Sequence, residues 1–393
     1  MAFPSPFAQP PHAAGAPVAP AATAAALRPP PLSRAGRSAP VWLFAVLIVL
    51  AFGVVTYVVS FLGVAASAVG MVLALIPLAG VLFAVRVIDR WEPEPMSLVV
   101  VALLWGAVAS VAIALLVDLA VAPVLRALIP GAAEAVSSVV QAPIVEELAK
   151  GLGVLLVFVF GRRAFDGPVD GVVYGALIGA GFAFTENILY FATSLIEGGV
   201  GEVTFTFLLR GVLSPFAHVM FTAVTGFAVG LAARSGRSVG GPWLLGLAGA
   251  IALHALWNGS AVFADFFALY VTLQVPLFLG FVLGVVLLRR EEARLTRERL
   301  GDYGAAGWFT TAEIDLVATG RGRRAAVTWA RSFAGDRSRQ MKEFISAATA
   351  LAAARQRSIT GRDAGSAEVE RVLLARVVAA RGALLSAQPA RTS

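Results

Sequence analysis

Apolar residues in this chain come in long blocks rather than alternating with polar ones. Eight blocks, near 41–62, 66–88, 96–119, 138–160, 171–195, 207–232, 242–264 and 268–288, each approach the ~20 residues that cross ~30 Å of hydrocarbon at 1.5 Å per residue. In lipid the backbone must satisfy its own hydrogen bonds, so such blocks predict helices. The expected fold is all-α: a polytopic transmembrane bundle of about eight spans, residues 41–290. Residues 1–40 are rich in Ala and Pro, show no apolar period and predict disorder. No secretory signal is expected, because Pro-rich sequence with Arg28, Arg34 and Arg37 precedes the first apolar block. Residues 291–393 turn polar and predict a small helical cytoplasmic tail, with Thr311 and Ser366 as N-caps ahead of Glu313 and Glu368.

Composition agrees with a bilayer as solvent. The chain is 58% apolar and 14% charged, with a mean hydropathy of +0.82, whereas soluble domains carry about 25% charged residues. The absence of Cys excludes disulfide scaffolds, thiol nucleophiles and Cys-held metal centres. The net charge of +7 lies in the tail, where 19 basic residues from Arg289 onward face 11 acidic ones. That excess suits anionic lipid headgroups, and equally a solvated charged face. No nucleic-acid partner is expected. Arg37, Arg86 with Arg90, Arg162 with Arg163, Arg234 with Arg237, and Arg289 with Arg290 mark alternate span ends. The positive-inside rule then puts both termini in the cytoplasm of a multi-pass protein of the cell (plasma) membrane, with Arg126 and Arg210 counting against. Asp118 reads as interfacial at the outer end of the third block, and Asp89–Pro95 as an anchoring turn.

Within the blocks, the ionisable residues that stand out are Glu146, Glu147, Lys150, Glu186, His218 and His254. Each costs roughly 2.5–3.5 kcal/mol if turned to lipid, so each is expected to face the bundle interior or a wet cavity. Counted from the outer ends, all but Lys150 fall roughly 10–17 Å deep, on four consecutive spans. Lys150 can reach either Glu on its own helix, at i−4 and i−3, and His254 shares a face with Asn258. Phe182, Glu186 and Tyr190 form a similar stripe. Pro143 and Pro215 each precede a polar candidate by three residues, where a kink would admit water. Taken singly, each feature has an ordinary reading: a packing salt bridge, a core histidine, interhelical bonds from Asn187 and Asn258. The joint pattern does not.

These residues spell EExxK at Glu146–Lys150, FxxxEN at Phe182–Asn187 and HxxWN at His254–Asn258. Over about residues 41–290 the sequence resembles the PrsW family of intramembrane proteases. That family is related to the CAAX prenyl endopeptidase and bacteriocin-processing membrane protease group, whose second motif carries His where this chain has Glu186. The resemblance implies an endopeptidase acting on membrane-associated regulatory proteins of the anti-sigma-factor kind. The implied site comprises Glu146, Glu147, Glu186, His218, His254 and Asn258, with Lys150 holding one carboxylate. Two mechanisms stay open. In one, Glu186, His218 and His254 hold zinc and Glu146 or Glu147 is the base. In the other, no metal is used: a buried Glu takes the proton of water with help from His218, and His254 and Asn258 donate to the oxyanion. An ion-coupled transporter using the same residues as a relay is the alternative class, although the internal repeats that it predicts are not visible. A scaffold acting through its basic tail is a third. Substrate and oligomeric state are not legible.

Overall fold

A computed structural model describes residues 38–263, 265–333, 335–361 and 366–386, among which every regular element is a helix. The expected disorder of residues 1–40 falls almost entirely outside them. The chain divides into two compact units, Arg34–Leu287 and a second whose described part begins at Leu288.

The first unit holds α1 (Val41–Ile88), α2 (Met96–Leu128), α3 (Ala142–Phe160), α4 (Pro168–Phe207), α5 (Ala217–Arg234), α6 (Gly240–Phe263) and the start of α7 (Phe266–Ala305). Helix α4 is the hub, with both its faces buried through most of its first half. Small residues make that possible. A Cβ at Gly171, Gly175 or Gly179 would lie 2.0–2.6 Å from a carbonyl oxygen of Gly226, Thr222 or His218 on α5. The two backbones therefore touch along a Gly-xxx-Gly-xxx-Gly ridge, the packing mode that replaces hydrophobic driving force within lipid. A Cβ at Gly181 would likewise meet Leu103 O at 2.0 Å, which seats α2 against α4. Asp170 caps the start of α4, accepting from the backbone N–H of Gly167 at 2.7 Å and Asp166 at 2.9 Å.

Among the described residues six stretches qualify as membrane spans by length and composition, where eight blocks were expected. The difference has physical causes. Helix α3 carries Glu146, Glu147 and Lys150 within 19 residues, too many charges for an apolar window. Helices α4 and α5 count as one stretch, Pro168–Arg234, although it is interrupted at Gly199 (φ +66°) and between Leu213 and Ala217. Inside α1, Gly63 takes φ +76°, a conformation open to glycine, and separates Val41–Leu62 from Val64–Ile88. The expected sixth block, 207–232, is not one helix: a π-helical turn at Leu208–Leu213 ends at Ser214, and α5 starts only at Ala217. Pro215 thus lies in a break rather than a kink, and Pro143 sits in the first turn of α3. Asp118 is exposed, and α2 continues past it to Leu128.

The Asp89–Pro95 link is more than a turn. Glu94 is buried there, receives the Tyr174 hydroxyl at 2.6 Å, and donates its N–H to Asp89 at 3.1 Å. Burial, reinforced by the charge of Asp170, holds the Glu94 carboxyl well above the usual carboxylate range. A raised folded-state pKa means that the native form binds more protons than the unfolded chain. Stability from this group is therefore complete below the ordinary carboxylate range and is lost as pH climbs through the raised value. Thermal unfolding of the purified protein should show that decline, and Glu94→Gln, which is neutral at every pH, should flatten it; an unchanged slope in the variant would count against this reading.

The second unit packs the end of α7 with α8 (Thr311–Ala318), α9 (Gly320–Arg331), α10 (Ser338–Ile359) and α11 (Ser366–Leu385). Its core includes Leu300, Val317, Phe344, Leu351 and Leu373. The expected cap at Thr311 is instead Thr310, which forms a reciprocal capping box with Glu313. Ser366 is the first helical residue of α11. Arg381 pairs with Glu313 at 2.7 Å across this unit.

Candidate active site

Helix α3 carries three charged residues in the bundle and is gripped on either side of Lys150. The Trp105 indole donates to Ala149 O and the Trp243 indole to Gly151 O, each at 2.9 Å. Gly153 allows the first approach, since a Cβ there would lie 2.2 Å from the Trp105 ring. Two indole N–H groups are thereby satisfied in the bundle, and α3 is fixed in rotation with Glu146, Glu147 and Lys150 turned inward.

Lys150 is 0% exposed. Its ammonium reaches Glu147 at 2.8 Å, Glu146 at 3.2 Å and His218 Nδ1 at 3.1 Å, which uses all three of its hydrogens. The Phe182 ring lies 3.7 Å from it on another side. Because an ammonium only donates, His218 Nδ1 must accept, and the ring hydrogen sits on Nε2, 2.8 Å from Glu186. His254 is fixed the same way. Its Nδ1 is 3.1 Å from Glu147, an acceptor-only group, so Nδ1 carries the hydrogen and Nε2 keeps its lone pair. That Nε2 lies 3.9 Å from Glu146 Oε2. Glu147 also receives the Thr222 hydroxyl at 3.1 Å and is wholly buried.

Two carboxylates, Glu147 and Glu186, thus each hold one imidazole in a defined tautomer, the arrangement that orients histidine ligands in metal sites. Ligand atoms of Glu146, His218 and His254 lie within 4.8 Å of one another. This trio departs from the expected Glu186, His218 and His254. The reason is that Glu186 is taken up by Arg210 and by the far nitrogen of His218. A carboxylate with two imidazoles suits zinc. Formal charge agrees, because the carboxylates of Glu146, Glu147 and Glu186 outnumber the cations Lys150 and Arg210 by one. Lys150 and a metal ion would nevertheless draw on the same lone pair of His218.

Glu146 and Glu186 also line a cavity of about 250 Å³ between α2, α3 and α4, walled otherwise mainly by apolar groups such as Val111, Leu115 and Leu189. Asp118 and Tyr190 stand on its lining as well. The site therefore has a side open to a guest, which Glu146 and Glu186 reach and Glu147, sealed inside, does not.

All six ionisable residues expected in the bundle converge here, Lys150 included, although the depth count had set it apart. Asn258 is turned elsewhere: it donates to Ser138 O at 2.8 Å and ties α6 to the π-helical turn before α3. Two partners were not anticipated. Thr222 carried no motif. Arg210, near the outer end of the block 207–232, had counted against the orientation, yet it contacts Glu186, donates to Asn187 at 2.8 Å and lies 3.9 Å over the Tyr190 ring. The signal was present, since a carboxylate and an amide side by side on a buried helix require donors.

Residues 94–283 match a family model described as PrsW family intramembrane metalloprotease. The chain is 33% identical over 144 residues to a protein of Geobacillus kaustophilus named Protease PrsW, covering 37% of this chain and 58% of that one. Proteins of the same name from Clostridioides difficile (32% over 162 residues, 40% of this chain, 63% of that one) and Bacillus subtilis (35% over 91 residues, 23% and 38%) also match. The chain thus spans less than two thirds of the length of these relatives. They are named as proteases, which gives the transporter alternative no support. No solved structure matches.

Proposed function

We propose that this chain is a member of the PrsW family of intramembrane metalloproteases, whose model residues 94–283 match, and that it is a membrane-embedded endopeptidase. Its substrates are membrane-associated regulatory proteins, of the anti-sigma-factor kind that the family resemblance implies. The observation that carries the reading is the double carboxylate–imidazole pairing, Glu147 with His254 and Glu186 with His218, turned toward Glu146 beside an apolar cavity.

In this reading Glu146 is the carboxylate in contact with the reacting water, because it reaches both the cavity and His254 Nε2. Glu147 and Glu186 are positioning residues. Thr222 and Lys150 hold Glu147, while Arg210 holds Glu186, so neither imidazole can turn away. Lys150 balances the charge of the two adjacent carboxylates on α3. Glu146, His218 and His254 would hold a zinc ion, which when bound acidifies water and polarises a peptide carbonyl. Asn258 positions α6 against the start of α3 through Ser138. Arginines at alternate span ends support cytoplasmic termini, and one contrary residue, Arg210, belongs to the site rather than to a loop.

Reconstitution in nanodiscs with single-pass transmembrane peptides tests the proposal. Cleavage in H₂¹⁸O should place one labelled oxygen in the new carboxyl terminus. A chelator should remove activity and zinc should restore it, with bound metal measured by elemental analysis and lost in His254→Ala. Peptides left intact under all these conditions would sink the peptidase reading.

A further inference from the structure

A second cavity, of about 170 Å³, lies at the start of α5. Its lining includes Pro215, Ala217, Trp257, Gln274 and Phe278. It shares a wall with the histidine pair: Ala217 directly precedes His218, and Trp257 packs edge-on against Phe221, whose ring stacks on His254 at 5.0 Å. Tyr270 donates to Leu213 O at 2.8 Å and pins the Ser214–Phe216 break to the π-helical turn Tyr270–Gln274 of α7, so the cavity is preformed.

Gln274 gives the cavity a chemical preference. It is 2% exposed. The Ser260 hydroxyl donates to Trp257 O at 2.7 Å, so toward Gln274 it can only accept, and it accepts from Nε2. That fixes the amide and leaves Oε1 buried with no hydrogen-bond partner. A buried carbonyl without a donor is costly and calls for one. Cutting a membrane helix requires some of it to unwind, and its freed N–H groups then find no water in the hydrocarbon. A sealed acceptor beside an apolar hole is what such a segment lacks.

We propose that this cavity is a substrate subsite, receiving one leucine- or phenyl-sized side chain of an unwound membrane peptide beside the scissile bond while Gln274 Oε1 accepts from that segment's main chain. The size agrees, since an apolar protein cavity of about 150 Å³ admits benzene. The inference rests on the peptidase reading and adds which side chain is selected.

The test uses the full chain in nanodiscs and single-pass transmembrane peptides in which one position at a time is Ala, Leu, Phe or a diazirine leucine, with cuts and crosslinks mapped by mass spectrometry. One position next to the cut should favour Leu or Phe over Ala by about ten-fold or more in kcat/KM, the scale on which apolar pockets discriminate. Val275→Phe, which fills the cavity, should reverse that preference, and the diazirine at that position should mark Trp257 or Phe278 only in the wild type. Val212→Phe, at a position 54% exposed, is a second filling variant that tolerates bulk if the first fails to fold. Gln274→Met should raise KM with little change in kcat. An unaltered side-chain preference in the filled variants, with crosslinks outside the cavity, overturns the subsite. Crosslinks in the cavity without any cleavage overturn the peptidase reading and the subsite with it, leaving a pocket that binds an apolar side chain.

Discussion

Glu146→Gln should lower kcat/KM for a transmembrane peptide by about 10³-fold or more, a loss of roughly 4 kcal/mol of transition-state stabilisation, while the protein still accumulates and unfolds near the wild-type temperature. The amide keeps the shape of the side chain and can still accept from Lys150, so packing survives. It cannot take a proton, and it is a poor ligand for a divalent ion. Glu147→Gln should behave differently. Glu147 is sealed from the cavity and bonded to Lys150, Thr222 and His254, so its replacement should lower stability and release the His254 ring. Parallel measurement of cleavage rate and thermal unfolding separates the two residues. Activity of Glu146→Gln within ten-fold of wild type would remove it from the reaction.

The apolar blocks made the all-helical bundle legible, because block length and the cost of unbonded backbone in lipid leave little else. Span limits were less legible where a helix serves the site. Helix α3 looks polar because it carries Glu146, Glu147 and Lys150, and the stretch before His218 is broken at Ser214–Phe216, around Pro215, inside what reads as a single apolar block. The convergence of Glu146, Glu147, Glu186 and the two histidines could be anticipated from the expense of each group in hydrocarbon. Which carboxylate faces which imidazole could not, since Glu146 and Glu147 differ by one helical position and only packing decides which one is sealed. The contact along Gly171, Gly175 and Gly179 was not anticipated, although their four-residue interval is what lets α5 approach α4. Arg210 and Gln274 were hidden for another reason: one read as a charge at a span end and the other is a single polar residue in an apolar span. Their partners become visible only when α4, the π-helical turns and α6 are placed side by side.

Lys150→Met should destabilise the protein by about 3–5 kcal/mol, the usual penalty for stripping a buried charge of its partner. The methionine fills similar volume, so the loss reports charge rather than a cavity. Glu147 would keep only neutral donors from Thr222 and His254, and the neighbouring Glu146 would lie beside it without the ammonium between them. The same substitution frees the His218 Nδ1 lone pair that Lys150 now occupies. Zinc should therefore raise the unfolding temperature of the variant by more than it raises that of the wild type, because the ion restores the missing positive charge and meets no competitor for the imidazole. Thermal unfolding of both proteins in detergent, with and without added zinc, provides the measurement. A variant as stable as the wild type would show that Lys150 is not what balances the paired carboxylates. A large destabilisation that zinc does not reverse would leave the ion pair intact as an explanation and count against Glu146, His218 and His254 as the ligand set.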